Sequence, residues 1–187
     1  MINEDLIALA EQYGKFDVLV ADPPWPFSNV KTGASMKSGS AQHYSTMAME
    51  EIAALPIKHI VQTDSVAFLW VPVPLSYEIA RSGIVERWGF AFKTKLFWEK
   101  GGRLGMGFWF RGQIEECWLL KRGDARPFRS SIRNVIHSNP RKHSQKPDEF
   151  FEVIELELTK AGLNNRLEIF AREPRAGWIG YGNGLVI

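Results

Sequence analysis

Apolar residues near the start of the chain recur at helical spacing, with Ile2, Leu6, Leu9, Ala10 and Tyr13 on one face. The run Phe16–Ala21 is apolar almost throughout and rich in β-branched residues, as a strand buried on both faces reads. It stops at Asp22-Pro23-Pro24. Residues 28–46 are rich in Gly, Ser and Lys and show no period, which predicts a long mobile loop; loops of that length in a compact domain are usually functional or disordered. Residues 49–60 have a helical pattern interrupted by Pro56. A second buried strand is predicted over 66–73, followed by a helix whose face carries Tyr77, Ala80, Ile84 and Trp88. Strands over 92–98 and 114–120 flank a Gly-rich loop at 101–112. Pro147 with Asp148 and Glu149 makes a helix start, the proline in the first turn and the acids facing the positive end of the dipole. Phe150, Phe151, Ile154, Leu158 and Ala161 then share one face, and Gly162 follows where a C-terminal glycine belongs. Leu167, Ile169 and Ala171 alternate through a last strand over 166–172. Strands separated by helices predict an α/β fold, a mostly parallel sheet with helices on both faces, as one domain over 1–187. In such sheets ligands bind at the carboxyl ends of the strands.

Composition narrows the class. A hydrophobic content of 45% with 24% charged residues is that of an ordinary globular chain. The N-terminus has no signal-peptide pattern and no apolar run is long enough to span a bilayer, so a cytoplasmic protein is expected. One cysteine, Cys117, and four His in no zinc spacing leave neither a disulfide nor a metal site to expect. The net charge is only +2, but residues 121–146 hold eight basic side chains against one acid. The rest of the chain has 15 basic against 20 acidic residues. A basic segment so concentrated suits a polyanion, or is a solvated loop.

The candidate chemistry starts at Asp22-Pro23-Pro24-Trp25. Two prolines fix the backbone and remove two amide donors. The Asp22 carboxylate and the Pro23 carbonyl then stand as acceptors on a stiff turn, and an amino group with two hydrogens needs two acceptors. Trp25 offers a ring on which a base can stack.

Further motifs follow in order: His43-Tyr44-Ser45-Thr46-Met47 with Glu50-Glu51-Ile52, then residues 105–123, then residues 143–149 around Lys146-Pro147-Asp148-Glu149, then residues 168–172 with Gly177-Trp178 and Gly182-Asn183. With ADPPW at 21–25 they resemble the adenine amino-methyltransferases of the mRNA adenosine methyltransferase type, including their phage and bacterial DNA-modifying relatives. The resemblance runs over about 16–183. It implies a circularly permuted, Rossmann-like methyltransferase fold and S-adenosylmethionine as cofactor. It also implies transfer to the exocyclic N6 amine of adenine in nucleic acid. Asp22 and the Pro23 carbonyl would hold the target amine, with Pro24 and Trp25 completing the catalytic turn. Tyr44 would close over the base, and Glu115 would lie near it. Lys146 would bind the methionine carboxylate of the cofactor, with Asp22 close by, while Glu168, Phe170, Arg172 and Asn183 would line its adenosine part. The short segment 173–177 lacks the family's polar ribose contacts, and Gly184 stands where a polar contact is usual.

Trp109, in the Gly-rich loop, is a candidate for contacting nucleic acid, and Arg129, Arg133 and Arg141 are candidates for phosphate. The partner expected is nucleic acid, DNA before RNA, with no membrane, metal or obligate protein partner. Three readings compete. They are an active adenine methyltransferase, a non-catalytic nucleic-acid-binding subunit, and an amino-methyltransferase on RNA adenosine or on another amine such as that of cytosine or a protein amide.

Overall fold

The computed structural model describes residues 2–26, 46–102, 109–125, 132–141, 145–182 and 185–186. The strands are β1 (Phe16–Ala21), β2 (Val61–Val71), β3 (Ala91–Lys100), β4 (Ile114–Arg122), β5 (Val135–Ser138), β6 (Arg166–Ile169), β7 (Ile179–Gly182) and β8 (Leu185–Val186). Among the described residues they form one sheet in the order β5-β3-β4-β2-β1-β6-β7-β8. β1 pairs in parallel with β2 and β6, β6 with β7, and β3 with β5. β4 runs antiparallel between β2 and β3, and β8 is antiparallel to β7. The sheet is thus mixed and mostly parallel, and helices cover both of its faces, as the sequence pattern predicts.

One face packs against α1 (Ile2–Tyr13), α2 (Met49–Ala53), α3 (Ile57–Ile60), α4 (Ser76–Arg81) and α5 (Ile84–Arg87), through Leu6, Ile52, Ile60, Ile79 and Trp88 among others. The opposite face packs against α6 (Asp148–Lys160). Here Phe150 meets Phe68, Trp70 and Phe151 edge-on, with ring centroids 5.0–5.6 Å apart. β1 lies centrally, paired on both sides, which is why its sequence does not alternate.

Several bounds differ from the sequence-based expectation, each for a local reason. β2 begins at Val61 and ends before Pro72, so the apolar 72–73 lie outside it. The helix expected around Tyr77 and Trp88 is two helices, because Gly83 takes a left-handed conformation (φ 73°) between them. Its buried face is Ile79, Ile84, Val85 and Trp88, while Tyr77 is 68% exposed. Tyr13, placed on the buried face of the first helix by spacing, is 43% exposed. Pro147 caps α6 with extended backbone (ψ 143°), so the helix starts at Asp148. The last expected strand ends at Ile169, because Phe170 turns the chain with φ 63°. Strands β5, β7 and β8 had no distinct signal, being four, four and two residues long. β7 lies close on the turn after β6. A Cβ on Gly182 would meet the Ala171 nitrogen at 2.7 Å, so only glycine fits there.

Phe150 is fully buried at the centre of the α6 face. Phe150→Ala is expected to lower unfolding free energy by about 3–5 kcal/mol. Urea titration followed by near-ultraviolet circular dichroism measures it, and a loss below about 1 kcal/mol would show that α6 is not docked this way.

Candidate active site

Alternation along the strands decides which side chains reach the α6 face. Val18 and Val20 point to it, and so does Asp22, the next even residue, just beyond the carboxyl end of β1. Trp98 and Lys100 do the same at the carboxyl end of β3. β4 runs the other way, so its early residues Glu115 and Cys117 arrive at the same place, Glu115 beside Trp98. Glu168 of β6 sits beside Val20. The segment leading into α6 brings Lys146 down onto this edge.

The turn carrying Asp22 is tied at three points. The Trp25 amide donates to the Pro23 carbonyl at 2.8 Å, and the Met47 amide donates to the Pro24 carbonyl at 2.9 Å. The Trp25 indole N–H donates to the Trp70 carbonyl at 2.9 Å. Trp25 is therefore buried, 4% exposed, and presents no open ring face for stacking. This corrects the expectation of a free platform: at a strand end the indole is held by packing and by its own hydrogen bond. The Pro23 carbonyl keeps one lone pair beyond the one used by Trp25.

Lys146 joins the parts. Its Nζ lies 3.1 Å from Asp22 Oδ1 and 2.8 Å from Glu115 Oε2, and it is 5.0 Å above the Trp70 ring. The other Glu115 oxygen pairs with Lys100. Arg172 approaches Asp22 Oδ2 at 3.9 Å. Side-chain exposure is 11% for Lys146, 17% for Asp22 and 23% for Glu115. Burial pushes the Asp22 carboxyl above its ordinary value, with Lys146 opposing the shift and Glu115 adding to it. Burial acts the same way on Glu115, but Lys146 and Lys100 on either side hold its carboxyl below the usual range. Burial would discharge Lys146, yet the two carboxylates raise it, so it stays a cation. Cys117, beneath them, is buried, and burial pushes its thiol well up, so it is inert core, as expected.

Asp22, Lys146, Glu168, Phe170 and Arg172 line one cleft, so five of the predicted site residues meet in space. The same cleft is walled by Trp70 and Phe151 and rimmed by Gln145, which lies in the motif at 143–149, and by Glu173 and Arg175; apart from Gln145 the motifs singled out none of these. The Trp70 indole N–H is buried there, with no hydrogen-bond partner among the described residues. Arg175 stacks on Phe151, its guanidinium carbon 3.6 Å from the ring centroid, and reaches Asp148 at 3.1 Å. Segment 173–177, read as lacking polar contacts, thus supplies two charged rim residues. An alternation count from Trp98 would have found Lys100. Glu173 and Arg175 follow a turn that carried no such signal.

Arg141, expected as a phosphate contact, acts in this structure as a strut between two carboxylates. Its guanidinium is taken up by Asp148 at 2.6 Å and Glu173 at 3.0 Å. Among the described residues the basic segment is also not one patch. Arg122 ends β4 and donates to the Lys58 carbonyl, whereas Glu115 near the start of the same strand lies in the site, roughly 25 Å away by strand rise. Arg133 is exposed, and Trp109 and Phe110 are 99% and 87% exposed. Tyr44, Arg129 and Asn183 lie outside the described residues, as do most of the expected loop at 28–46 and residues 103–108. Among the described residues, no helix is long and apolar enough to cross a membrane, and no group of three or more His, Cys, Asp or Glu could hold a metal ion.

Comparison with known proteins bears on this cleft. The chain is 31% identical over 181 residues to an N(6)-adenosine-methyltransferase MT-A70-like protein of Arabidopsis thaliana, covering 92% of this chain and 24% of that protein. It is 29% identical over 182 residues to the N(6)-adenosine-methyltransferase catalytic subunit METTL3 of Homo sapiens, covering 92% and 28%. To the type II methyltransferase M.MunI of a Mycoplasma species it is 27% identical over 186 residues, covering 90% and 77%. It thus spans about a quarter of the length of the plant and animal relatives. The MT-A70 family matches residues 16–184, from the strand that delivers Asp22 to just past the glycine packed on Phe170 and Ala171. Every described residue of the cleft falls inside that match, and the chain belongs to the MT-A70 family.

Proposed function

We propose that this chain transfers a methyl group from S-adenosylmethionine to the exocyclic N6 amine of adenine in nucleic acid, with DNA as the substrate. The observation that carries it is the Asp22–Lys146 pair, a carboxylate on a stiff turn 3.1 Å from a buried cation in one cleft. Membership of a family whose relatives are named N6-adenosine methyltransferases supports the reaction class. The extent of the match to M.MunI, a type II methyltransferase, supports DNA. RNA is the second reading, favoured by the relatives named for adenosine.

The residues present fit the cofactor. A buried lysine beside an aspartate suits the carboxylate and ammonium of an amino-acid end. Glu168, Phe170 and Arg172 further along suit a nucleoside, and the Trp70 N–H, which has no partner among the described residues, offers one more donor. When bound, the cofactor supplies a methyl group already activated by its sulfonium charge. The protein's own task is orientation. The lone pair of the adenine amine is delocalised into the ring. Asp22 and the free lone pair of the Pro23 carbonyl accept its two hydrogens and turn the nitrogen toward the donor. The prolines remove competing amide donors, and the ties to Trp70 and Met47 keep both acceptors in place. No covalent enzyme intermediate is required. A base in a duplex has to be extruded first, which costs a few kcal/mol. The exposed Trp109 and Phe110, on the connection between β3 and β4, are suited to stack against an opened site.

Asp22→Ala is expected to abolish transfer, by at least about a hundredfold, and to leave the circular dichroism spectrum unchanged. The assay is radiolabelled methyl transfer to unmethylated DNA and RNA oligonucleotides, with the product base identified by mass spectrometry. Near-normal turnover of the variant would end the mechanism. Transfer to RNA alone would move the assignment to the second reading, and transfer to cytosine would remove it from adenine.

Trp109→Ala is expected to weaken oligonucleotide binding by about 1–3 kcal/mol while the affinity for S-adenosylmethionine holds. Fluorescence anisotropy with single- and double-stranded probes measures this, and unchanged affinity for both would remove Trp109 from the interface.

Glu168 gives a pH prediction. Burial raises its carboxyl from the ordinary 4.5 to about 7, with Arg175 opposing the shift and Asp22 and Glu173 adding to it. Between those values the folded protein keeps a proton that the unfolded chain has released. Stability therefore falls as pH rises from 4.5 through about 7, and the penalty is complete above that. Glu168→Gln removes the penalty. Its urea midpoint is expected to exceed that of the unsubstituted protein at pH near 8, and the difference to shrink toward pH 4.5. An equal or lower midpoint at the higher pH contradicts the burial argument.

A further inference from the structure

Four charged side chains alternate in sign across the site, in the order Lys100, Glu115, Lys146, Asp22. The function proposed above uses the last two directly and expects Glu115 near the base. It gives Lys100 no part. Yet Lys100, the last residue of β3, mirrors Lys146. Each ammonium sits 5.0 Å over a buried tryptophan, Lys100 on Trp98 and Lys146 on Trp70. The two rings touch edge-on at 6.3 Å. Glu115 lies between the lysines and divides its oxygens between them, Oε1 to Lys100 and Oε2 to Lys146. With both oxygens engaged, the carboxylate cannot turn fully toward Lys146.

The arithmetic of charge makes this arrangement matter. Asp22 and Glu115 both contact Lys146, and a bound amino-acid carboxylate would be a third claimant on that cation. If Glu115 lost its other partner, both of its oxygens would be drawn to Lys146. Lys146 would shift toward Glu115 and away from Asp22. Two carboxylates sharing one buried lysine also favour protonation of one of them.

We propose that Lys100 is a positioning residue: by engaging Glu115 from the side away from Asp22, it leaves the charge of Lys146 to Asp22 and to the carboxylate of the methyl donor. The step inferred is non-covalent and moves no electrons. Among the described residues, the charged and titratable groups that face Glu115 are Lys100 from β3, Lys146 from the segment before α6, Asp22 from the end of β1 and Cys117 on its own strand. Cys117 stays a neutral thiol, so the two lysines dominate. Removing Lys100 therefore moves the titration of Glu115 to higher pH.

The proposal rests on the methyltransferase reading, and the test separates the two. Lys100→Met and Lys100→Arg are prepared alongside the unsubstituted protein, and thermal unfolding confirms that all three are folded. Carbon-13 carboxyl resonances follow the Glu115 titration in the cofactor-free proteins. Calorimetry gives the Kd for S-adenosylmethionine, and anisotropy the Kd for an oligonucleotide. Lys100 is 29% exposed, so the effect is discounted for solvent. Lys100→Met is expected to raise the donor Kd about five- to tenfold and to leave oligonucleotide Kd within about twofold. The Glu115 titration is expected to move upward, and Lys100→Arg to restore both readouts. An unmoved Glu115 titration overturns the proposal, as does a donor Kd within about twofold of the unsubstituted protein, or a loss confined to oligonucleotide binding, which would make Lys100 a phosphate contact. If the unsubstituted protein binds no S-adenosylmethionine, the methyltransferase reading fails and the proposal fails with it, even where the Glu115 titration moves.

Discussion

The contact between Asp22 and Lys146 is the one on which the site depends. Taking two charges out of water costs several kcal/mol for each ion, and mutual attraction offsets that only when further partners complete the set. Here the partners are present. Lys146 has a second carboxylate in Glu115 and an aromatic face in Trp70, and Asp22 has Arg172 nearby. A pair so enclosed is poor evidence for stability but good evidence for use, since apolar residues of similar volume would serve packing as well. Its two members come from places 124 positions apart in the chain, one at the end of the central strand and one before the helix that covers it. The docking of α6 is therefore what makes the pair possible.

A second network fixes the rim of the cleft at Glu173 and Arg175. Arg141 bridges Asp148 and Glu173, Gln145 donates to Glu173 at 3.0 Å, and Arg175 reaches Asp148 and lies on Phe151. Three separate segments meet there: the stretch before Lys146, the start of α6 and the turn after β6. Asp148, in the first turn of α6, also complements the positive end of the helix dipole. Movement of any one segment would cost contacts with both others. The placement of Lys146 over Trp70 is thus supported from behind, by residues that need never touch a substrate.

Much of this was legible in the sequence. The run Phe16–Ala21 gave its strand to the residue, because a central strand has no polar alternation to confuse it. The prolines and acids before Phe150 marked the start of α6 within one position. Lys146, Glu168, Phe170 and Arg172 followed from motif resemblance and do line the cleft with Asp22. What escaped was what depends on tertiary contact. Trp25 reads as an exposed platform until the carbonyl of Trp70 is seen to take its N–H. Arg141 reads as a loop cation until Glu173, 32 positions later, is found beside it. Of the basic residues counted over 121–146, the described ones do not form one cluster in space, because Lys121 and Arg122 lie at the far end of β4 while Lys146 lies in the site beside Glu115 at its start.

The direction of β4 shapes the site in its own way. In a wholly parallel sheet every strand would deliver its carboxyl end to the ligand edge. β4 is reversed between β2 and β3, so it presents its first residues there instead. Two consequences follow from that single inversion. Glu115 reaches the site from the start of a strand, side by side with Trp98 and within reach of Lys100 at the end of the neighbouring one. The antiparallel pairing of β3 and β4 also sets Trp109 and Phe110, which precede β4, exposed on the side where β4 begins. One reversed strand thus brings a carboxylate into the charge network and sets a pair of exposed aromatic rings beside its start.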